Sequence, residues 1–304
     1  MYFNSILRIK SISLAIAILL IGTTCYSQKD TLSLDDMPAE RLLVKEAFNG
    51  PQIIFSQSTN MVQAKRLDLV FGHRFGKINE GAFNAFGLDQ AFIRIGLEYG
   101  ITDWLTAGIG RSSLGKNYDL YFKHRPLTQT KGGDKNIPVS VAVFLSSAFS
   151  ATDLRMQNEI HKSDQFVNQL AYTFQTSISR QFSPFLSVQI MGSLIHKNSV
   201  ASSEYSNDVY GVGAGARLKL SNRLHLLVEY NSMCNNPSYV KNPFGVGLDV
   251  VAGGHVFTLY FANGAGIIEK ATLTEIKDNG LRFGFTIRRS FMLKSKVDGG
   301  KVKY

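Results

Sequence analysis

The sequence predicts an all-β protein, an antiparallel transmembrane β-barrel of about twelve strands in the outer membrane. Three observations predict it: long segments in which apolar and polar residues alternate, an N-terminal export signal, and an unusual composition. Charged residues make up 18% of the 304 residues, which is below the usual fraction of about a quarter. Glycine and aromatic residues are plentiful, with 27 Gly, 21 Phe and 12 Tyr. This balance fits a sheet with one face away from water, and it fits a soluble helical enzyme poorly.

Residues 1–27 have the three parts of a secretory signal peptide. Arg8 and Lys10 supply the basic start, residues 11–21 are almost entirely apolar, and small residues precede a cleavage site after Ser27. The apolar run is too short to predict a membrane-spanning helix. Because cleavage removes two cations and no acid, the net charge falls from +10 to +8. The signal therefore places the rest of the chain outside the cytoplasm.

The two cysteines predict no disulfide. Cys25 lies within the signal peptide, where a lipoprotein would be acylated, but Gly22 and Thr24 depart from the residues that a bacterial lipobox prefers. An ordinary signal peptide is therefore the favoured interpretation. Cys234 then remains alone in the exported chain, and we expect it to be a loop residue without a chemical role.

From about residue 65 onward, apolar residues recur at every second position, which is the period of a β-strand. Arg66–Phe75, Gln90–Tyr99 and Tyr210–Leu220 each have one apolar face and one mainly polar or glycyl face. Such segments run to about 10–12 residues, the length that a tilted strand needs to cross a bilayer, whereas strands of soluble sandwiches have about 5–6. Aromatic residues at the ends of the apolar faces predict girdles at the membrane interfaces. They are Tyr99, Tyr118, Tyr172, Tyr230, Phe283 and Phe291.

Twelve segments carry this alternation. They are residues 65–76, 89–101, 104–113, 117–126, 137–149, 166–181, 185–196, 209–220, 223–232, 244–252, 255–262 and 280–291. Short and long links alternate between them, as expected for short periplasmic turns and longer external loops. Two links strain this rule, because residues 111–117 form a short external link and residues 127–136 a long periplasmic one.

The segments outside the predicted barrel, residues 65–292, are assigned from composition. Residues 28–64 are predicted to form a periplasmic N-terminal segment, with one short helix over residues 38–48. Gln52–Ser58 is strand-like, and we expect it to enter or line the barrel mouth, because a thirteenth strand would break the pairing. The basic residues 293–304 are predicted to be a disordered tail.

The polar strand faces predict a charged lumen with more cations than acids. Ten cations and five acids fall on these faces, two of the cations being Arg125 and Arg223. Two interpretations remain open: the charges pair in a network that fills a narrow barrel, or unpaired cations line an aqueous path for anions. The charged candidates are Arg66, Asp68, Arg74, Arg94, Glu98, Asp119, Lys123, Arg217, Lys219, Glu229, Asp249, Arg282 and Arg288.

No motif in the sequence predicts a catalytic residue, a cofactor or a metal. The six histidines lack the HxxxH and HExxH spacings of zinc sites, and no GxSxG nucleophile elbow is present. His225 lies on the same strand face as Glu229, so an acid–base or metal role for that pair is the remaining hypothesis. A lipid hydrolase would need a serine, a histidine and a polar orienting group on one outer surface at membrane level. Nucleic-acid binding is not expected of an exported barrel.

An ordered series of short segments carries a family resemblance. The segments are Leu67–Gly76, Phe86–Asp89, Arg94–Asp103, Gly108–Ser113, Tyr118–Asp119, Lys123 and Pro138–Val141. The series resembles an uncharacterised family of Bacteroidota membrane-bound β-barrels, a domain of unknown function. The resemblance implies the fold and the location, and it implies no functional residue.

A polar cluster near the outer rim of the first four strands is our hypothesis for a functional surface. Arg74 and Asp89 are expected to pair there, with Arg111, Asp119 and Lys123 nearby. A network of ions that only fixes the strand register is the alternative interpretation.

The function predicted from these features is passive passage or binding of small anionic solutes, with the outer membrane as partner. The selection would be electrostatic, through lumenal Arg and Lys side chains. Two alternatives remain open: an outer-membrane enzyme acting on lipid, and a plugged barrel that serves as scaffold for a periplasmic or surface partner.

Overall fold

Twelve antiparallel strands close into one barrel in the computed structural model, which describes residues 42–44, 46–132, 136–151, 166–200 and 202–293. The predicted fold class is confirmed. In chain order the strands are β1 Arg66–Lys77, β2 Ala91–Thr102, β3 Leu105–Ser112, β4 Asn117–Leu127, β5 Ser140–Ser150, β6 Leu170–Gln181, β7 Leu186–Lys197, β8 Asp208–Lys219, β9 Leu224–Cys234, β10 Phe244–Ala252, β11 His255–Ala262 and β12 Arg282–Met292. The largest departure from the predicted boundaries is at β6, because residues 166–168 form a helical turn.

The strand faces are inverted relative to a soluble protein. Along β4, buried and exposed side chains alternate without interruption as far as Pro126. Phe122 is 49% exposed on the outside, whereas the neighbouring Lys123 is 1% exposed on the inside. Alternate side chains of a strand lie on opposite faces, so the apolar set faces outward and the polar set faces the lumen. This arrangement suits a barrel surrounded by lipid.

Each strand pairs with its neighbours in the chain, and β12 pairs with β1 to close the sheet. In that last pairing Ile287 lies opposite Phe71, with one register shift between Arg282 and Gly284. Closure leaves no strand edge, so the N–H and C=O groups of the wall find partners within the ladder.

The links alternate between the two ends of the barrel, as the sequence predicted. One end carries the short turns and is here called the turn end; the other is called the loop end. At the turn end lie residues 103–104, 128–132, 136–139, 182–185, 220–223 and 253–254. At the loop end lie residues 78–90, 113–116, 151, 166–169, 198–200, 202–207, 235–243 and 263–281. The two links that departed from the predicted alternation of lengths follow the alternation of ends. The short link between β3 and β4 lies at the loop end, and the longer link between β4 and β5 lies at the turn end.

The short helix predicted over residues 38–48 is wrong in the part that the structure describes. Leu42–Leu43 instead pairs with Thr130–Lys131 in a two-residue antiparallel ladder at the turn end. Residues 47–50 then follow a series of bends. The Phe48 N–H donates to the Asn60 side chain at 3.1 Å, so a tertiary partner replaces the helical carbonyl. The predicted signal peptide and the predicted C-terminal tail, residues 294–304, lie outside the described residues.

One helix that the sequence did not predict lies in the link between β11 and β12. It is α1, Glu269–Thr274, and five of its six residues are buried. Shorter 3-10 turns cover Ile78–Glu80, Ala82–Gly87 and Leu114–Lys116. None of the helices in the described part of the chain is long and apolar enough to cross a membrane.

Closure between the first and last strands predicts a specific cross-link. Phe71→Cys combined with Ile287→Cys, in a Cys234→Ser background, should form a disulfide under mild oxidation. Opposed Cα atoms in an antiparallel pair are about 4.5–5.5 Å apart, within the span of a disulfide. The measurement is faster migration of the unfolded, looped chain on a non-reducing gel. Phe75→Cys with Ile287→Cys is the control, since the two sites are offset by about 13 Å along the strands; cross-linking of the control alone would contradict the register.

Candidate functional site

Two stretches of the chain fill the lumen of the barrel. Residues 47–62 enter from the turn end ahead of β1 and are here called the plug. Residues 263–281 join β11 to β12, contain α1, and fold inward from the loop end; they are here called the inner loop. Apolar side chains of the plug and the wall pack into one cluster. Its members are Ala47, Phe48, Ile53, Ile54, Phe55, Leu227, Tyr260 and Ala262.

The strand-like stretch Gln52–Ser58 lies inside the lumen and not merely at the mouth. It forms no strand, and its regular pairing is limited to one isolated bridge between Gln52 and Gln57. An irregular backbone in a buried site leaves amide groups without ladder partners. The side chains of the barrel wall must therefore supply those partners.

The carboxylate of Glu229, buried on β9, binds three consecutive amides of the plug. The N–H groups of Ile54, Phe55 and Ser56 donate to its two oxygens at 2.8, 2.9 and 3.0 Å. The Asn231 side chain donates to the same carboxylate at 3.0 Å. One side chain therefore supplies the acceptors for three successive buried N–H groups, which makes Glu229 an anchor of the plug.

Gln57 is the most heavily bonded residue of the plug. Its N–H donates to the Gln175 side-chain oxygen at 3.2 Å, and its C=O accepts from the Gln175 and Gln189 amides at 2.8 Å and from the Ser177 hydroxyl at 2.9 Å. Its own amide donates to Glu269 of the inner loop at 2.8 Å. One residue thus joins β6, β7 and α1 in the middle of the lumen.

Two wall cations bind the plug through neutral oxygens. Lys123 Nζ donates to the Pro51 carbonyl at 2.7 Å and to the Gln57 side chain at 3.4 Å. Arg217 Nη1 donates to the Asn49 side-chain oxygen at 3.2 Å. Within the described part of the chain, neither cation lies within ion-pair distance of a carboxylate.

Arg74 is the third such cation, and it joins the plug to the inner loop. Its guanidinium donates to the Ile54 carbonyl at 3.3 Å, to the Gly264 carbonyl at 3.0 Å and to the Gly266 carbonyl. The guanidinium also lies 5.2 Å from the centre of the Tyr260 ring. Because its described polar partners are all uncharged, the positive charge of Arg74 is balanced only by dipoles and rings.

Other lumenal charges are paired directly. Arg94 forms a two-point ion pair with Asp119. Arg288 bridges Asp68, at 3.2 Å, and Glu98. Part of the lumenal charge therefore forms an ion network, as the first interpretation expected, whereas other cations bind the plug; an aqueous path for anions stays a prediction.

The structure places the thirteen lumenal candidates on the inward face. Eleven are buried, whereas Arg66 and Lys219 are half-buried near the turn end. Asp249 accepts from Asn49 and Thr258 at 2.8 and 2.6 Å.

Three further expectations about charged residues are corrected or completed by the structure. Arg282 pairs with Asp278 of the inner loop at 3.1 Å. The additional cation Arg125 is buried, but Arg223 lies exposed in the turn before β9, because the strand begins one residue later than expected.

The rim cluster predicted on the first four strands is wrong as an arrangement. Arg74 does not pair with Asp89: it is buried in the lumen, whereas Asp89 is exposed in the first loop. Arg111 faces outward, and Asp119 and Lys123 face inward with separate partners. Side chains on one strand alternate between faces, so closeness in sequence did not bring these groups together.

Sequence reasoning missed the uncharged wall residues that hold the plug. The sequence did contain a signal for them, since Gln175, Ser177 and Ser179 share the inward face of β6, and Ser187 and Gln189 share that of β7. A run of amides and hydroxyls on one buried face predicts a buried polar ligand. In this barrel that ligand is the chain's own backbone.

Two inward glycines make room for the plug. A Cβ on Gly100 would overlap the carbonyl oxygens of Gln63 and Val62, and a Cβ on Gly215 would lie 2.6 Å from Ile53 Cδ1. The glycines on these polar faces therefore serve close approach of a second segment and not curvature alone.

Residues 48–291 match the family model described as "Membrane bound beta barrel domain (DUF5777)". The chain belongs to this family of membrane-bound β-barrels. The family expected from the ordered segments is confirmed, and its bacterial phylum stays a prediction. The match begins at Phe48, so the family domain includes nearly all of the plug as well as the twelve strands.

Several solved porins resemble this membrane-barrel domain. The NanC porin shares 12% identity with a TM-score of 0.47, covering 75% of this chain and 100% of that chain. The KdgM porin shares 9% identity with a TM-score of 0.47, covering 74% and 99%. The KdgM porin in complex with disordered oligogalacturonate shares 9% identity with a TM-score of 0.46, covering 74% and 99%. No curated protein matches the chain.

The histidines of the membrane-barrel domain form no catalytic set in the described residues. His225 is buried with Nδ1 unpartnered, and it makes no hydrogen bond to Glu229, whose carboxylate binds the plug. On the outer face His196 Nδ1 lies 2.8 Å from Asp208. The Ser206 hydroxyl accepts from the Asp208 backbone N–H at 3.2 Å and is not hydrogen-bonded to the His196 ring. Within the described ranges, no three His, Cys, Asp or Glu side chains group as metal ligands.

Removal of the Glu229 carboxylate should loosen the plug. Glu229→Ala leaves three buried N–H groups without an acceptor, and each such group costs about 1–3 kcal/mol. Even one of these penalties corresponds to a rise of about 5- to 150-fold in the open population, so we expect at least that increase. The measurement is the rate of thiol labelling at Ser56→Cys in a Cys234→Ser background. Glu204→Gln, which changes an exposed loop carboxylate, is the control and should leave the rate unchanged; equal rates in all three proteins would contradict the anchor.

Docking of the inner loop should depend on pH through Glu269. Burial raises the pKa of this carboxyl above its ordinary value; Asp119 also raises it, whereas the Gln57 amide and Arg94 lower it. The docked state therefore holds the proton more tightly than the undocked state. Docking should be strongest at acidic pH and should weaken as the pH rises through the raised pKa.

The test is thiol labelling at Thr272→Cys, in a Cys234→Ser background, from about pH 4 to about pH 8. Corrected for thiolate fraction, labelling should increase with pH, and Glu269→Gln should abolish the increase and slow labelling at neutral pH. Glu275→Gln changes an exposed carboxylate of the same loop and should keep the increase. A pH-independent rate in the unaltered protein would argue against Glu269 as the titrating group.

Proposed function

We propose that this protein is an outer-membrane barrel that passes small anionic solutes when its plug leaves the lumen. The observation that carries the proposal is the state of Arg74, Lys123 and Arg217. All three are buried, and within the described chain they bind carbonyl, amide or hydroxyl oxygens and no carboxylate. Displacement of the plug would expose their charges to the solution in the lumen.

The charge balance of the wall supports an anion preference. Of the predicted inward charges, nine cations and five carboxylates remain on the wall once exposed Arg223 is set aside, an excess of four positive charges. The pairs Arg94–Asp119 and Arg288–Glu98 are formed within the wall and do not depend on the plug. A lumen lined by an excess of cations attracts anions and repels cations.

The contacts of the plug are compatible with its release. Most of its polar contacts are hydrogen bonds to wall side chains, each worth about 0.5–1.5 kcal/mol net because water can replace the lost partner. Ahead of the plug, the described chain is bonded to the barrel through the short ladder of Leu42–Leu43 and through the Val44 N–H, which donates to the Gln129 carbonyl at 2.8 Å. A segment held in this way can exchange between a docked and a released state without disturbing the closed sheet.

A permanently plugged scaffold is the second candidate function. It is favoured by the same filled lumen, in which Glu229 and Gln57 each satisfy several buried partners at once. The two candidates differ in whether the plug ever leaves the lumen, so a reversible tether separates them.

The tether experiment uses Ser56→Cys with Asn231→Cys in a Cys234→Ser background. The two native side chains approach to 3.3 Å between Oγ and Oδ1, so oxidation should bond the plug to the wall. In planar bilayers we expect conductance from the reduced barrel, loss on oxidation, and recovery on reduction. Reversal potentials in a salt gradient should indicate anion preference. Conductance that oxidation leaves unchanged would refute the gate, and absent conductance in the reduced state would favour the scaffold.

Selectivity should follow the wall cations. Lys123→Gln with Arg217→Gln should move the reversal potential of the open state toward zero, because two positive charges leave the lumen. Arg180→Gln removes an outward-facing charge and is the matched control, with no expected change. A cation preference in the unaltered barrel would contradict the anionic part of the proposal.

A further inference from the structure

A groove of about 780 Å³ crosses the outer face of the barrel over strands β2 to β5. Barrel exteriors are convex, so a concavity of this size on the membrane-facing side is unexpected. Its volume lies within the range of about 300–1,000 Å³ that is typical of small-molecule sites. We propose that the groove binds one anionic membrane lipid, with the acyl chain in the groove and the phosphate against Arg111.

The groove lies between two rows of outward side chains that follow the strand register. In the row nearer the loop end, Ile95 lies opposite Arg111, Arg111 opposite Tyr118, and Tyr118 opposite Phe149. In the next row, Leu97, Ile109, Leu120 and Ser147 are opposed in the same way. The short side chain of Ser147 leaves space beside Phe149. The lining is therefore almost wholly apolar and suits a hydrocarbon chain.

Arg111 supplies the charge at the loop end of the groove. It is exposed on the outward face, one residue before β3 ends. Its guanidinium contacts Tyr118, with Nε donating to the hydroxyl at 3.4 Å and the guanidinium carbon 5.7 Å from the ring centre. No carboxylate pairs with it among the residues that the structure describes. A cation that faces lipid is costly without an anionic partner, and a phosphate at headgroup level is such a partner.

A second cation lies at the loop end of the strands that line the groove. Lys116 is exposed in the turn between β3 and β4, although it does not itself line the groove. Two exposed cations at this end of the groove-lining strands complement a lipid that has a phosphate above a hydrocarbon chain. The charge pattern therefore favours an anionic lipid over a zwitterionic one.

Arg289 provides a matched comparison on the same outer surface. It faces outward from β12 and lies 5.1 Å from the ring centre of Phe291, in a contact similar to that of Arg111 with Tyr118. It does not line the groove. If the groove matters, loss of the charge at Arg111 should affect lipid binding and loss at Arg289 should not.

The test uses the full-length barrel in detergent, with phosphatidylglycerol or phosphatidylcholine of identical chains, measured by native mass spectrometry. We expect one retained phosphatidylglycerol per barrel and weaker retention of phosphatidylcholine. Arg111→Gln should lower phosphatidylglycerol retention about 10-fold or more, since a charge-assisted contact is lost. Leu120→Trp, which fills the groove, should reduce retention of both lipids. Arg289→Gln should bind like the unaltered protein.

Several outcomes would overturn the proposal. Equal retention by the Arg111→Gln and unaltered barrels would remove the role of the charge, and equal retention of the two lipids would remove the anionic preference. Displacement of phosphatidylglycerol by inorganic phosphate would assign the site to free phosphate. A protein dimer that Leu120→Trp abolishes would make a second copy the occupant. As a folding control, each variant must show the same change in gel migration on heating as the unaltered barrel. A folding defect then cannot be mistaken for loss of lipid binding.

Discussion

Main-chain hydrogen bonding is the constraint on which the structure depends. In hydrocarbon there is no water to serve an exposed N–H or C=O group, so a membrane-crossing sheet must close on itself. The pairing of β12 with β1 meets that requirement for the wall. The backbone of the plug is irregular and forms no strand ladder, so its N–H and C=O groups are hydrogen-bonded by side chains of the wall. Glu229 binds its N–H groups, and Lys123, Gln175 and Gln189 bind its C=O groups.

This division explains why the lumen contains two kinds of charge. Arg94 pairs with Asp119 across β3, and Arg288 pairs with Glu98 across β1, so these charges are balanced within the wall. Lys123 satisfies carbonyl oxygens of the plug and has no carboxylate of its own within the described chain. A buried charge must have some partner, and here the partner belongs to a segment that enters from one end. Whether the plug occupies the lumen therefore also determines how many positive charges of the wall are without a partner.

On the outer face of the barrel most side chains are apolar and need no hydrogen-bonding partner, so the few polar exceptions indicate where a ligand could bind. Apolar side chains need no partner in lipid, so the outward surface is uniform except where a charge or a concavity interrupts it. Arg111 combines both interruptions, since it lies beside the groove over β2 to β5. The lumen and this groove use cations in different ways: one set contacts the chain itself, and the other faces the surrounding membrane.

The sequence by itself determined the wall. A period of two sustained over long segments specifies which side chains face inward, so the twelve strands, their order and the inward position of residues such as Arg94 and Glu229 could be predicted. The partner of each inward charge could not, because partners such as Asp119 for Arg94 depend on register between strands.

Only the tertiary structure decided what the lumen contains. Residues 47–62 form no strand, although Gln52–Ser58 is strand-like in sequence, because their conformation is set by side chains from β4, β6, β7, β8 and β9 that are distant in sequence. The short α1 was missed for the same reason: its burial, and not its helix propensity, stabilises it. Local patterns encode strands, whereas a segment that is held by side chains from many strands is encoded only in the assembled barrel.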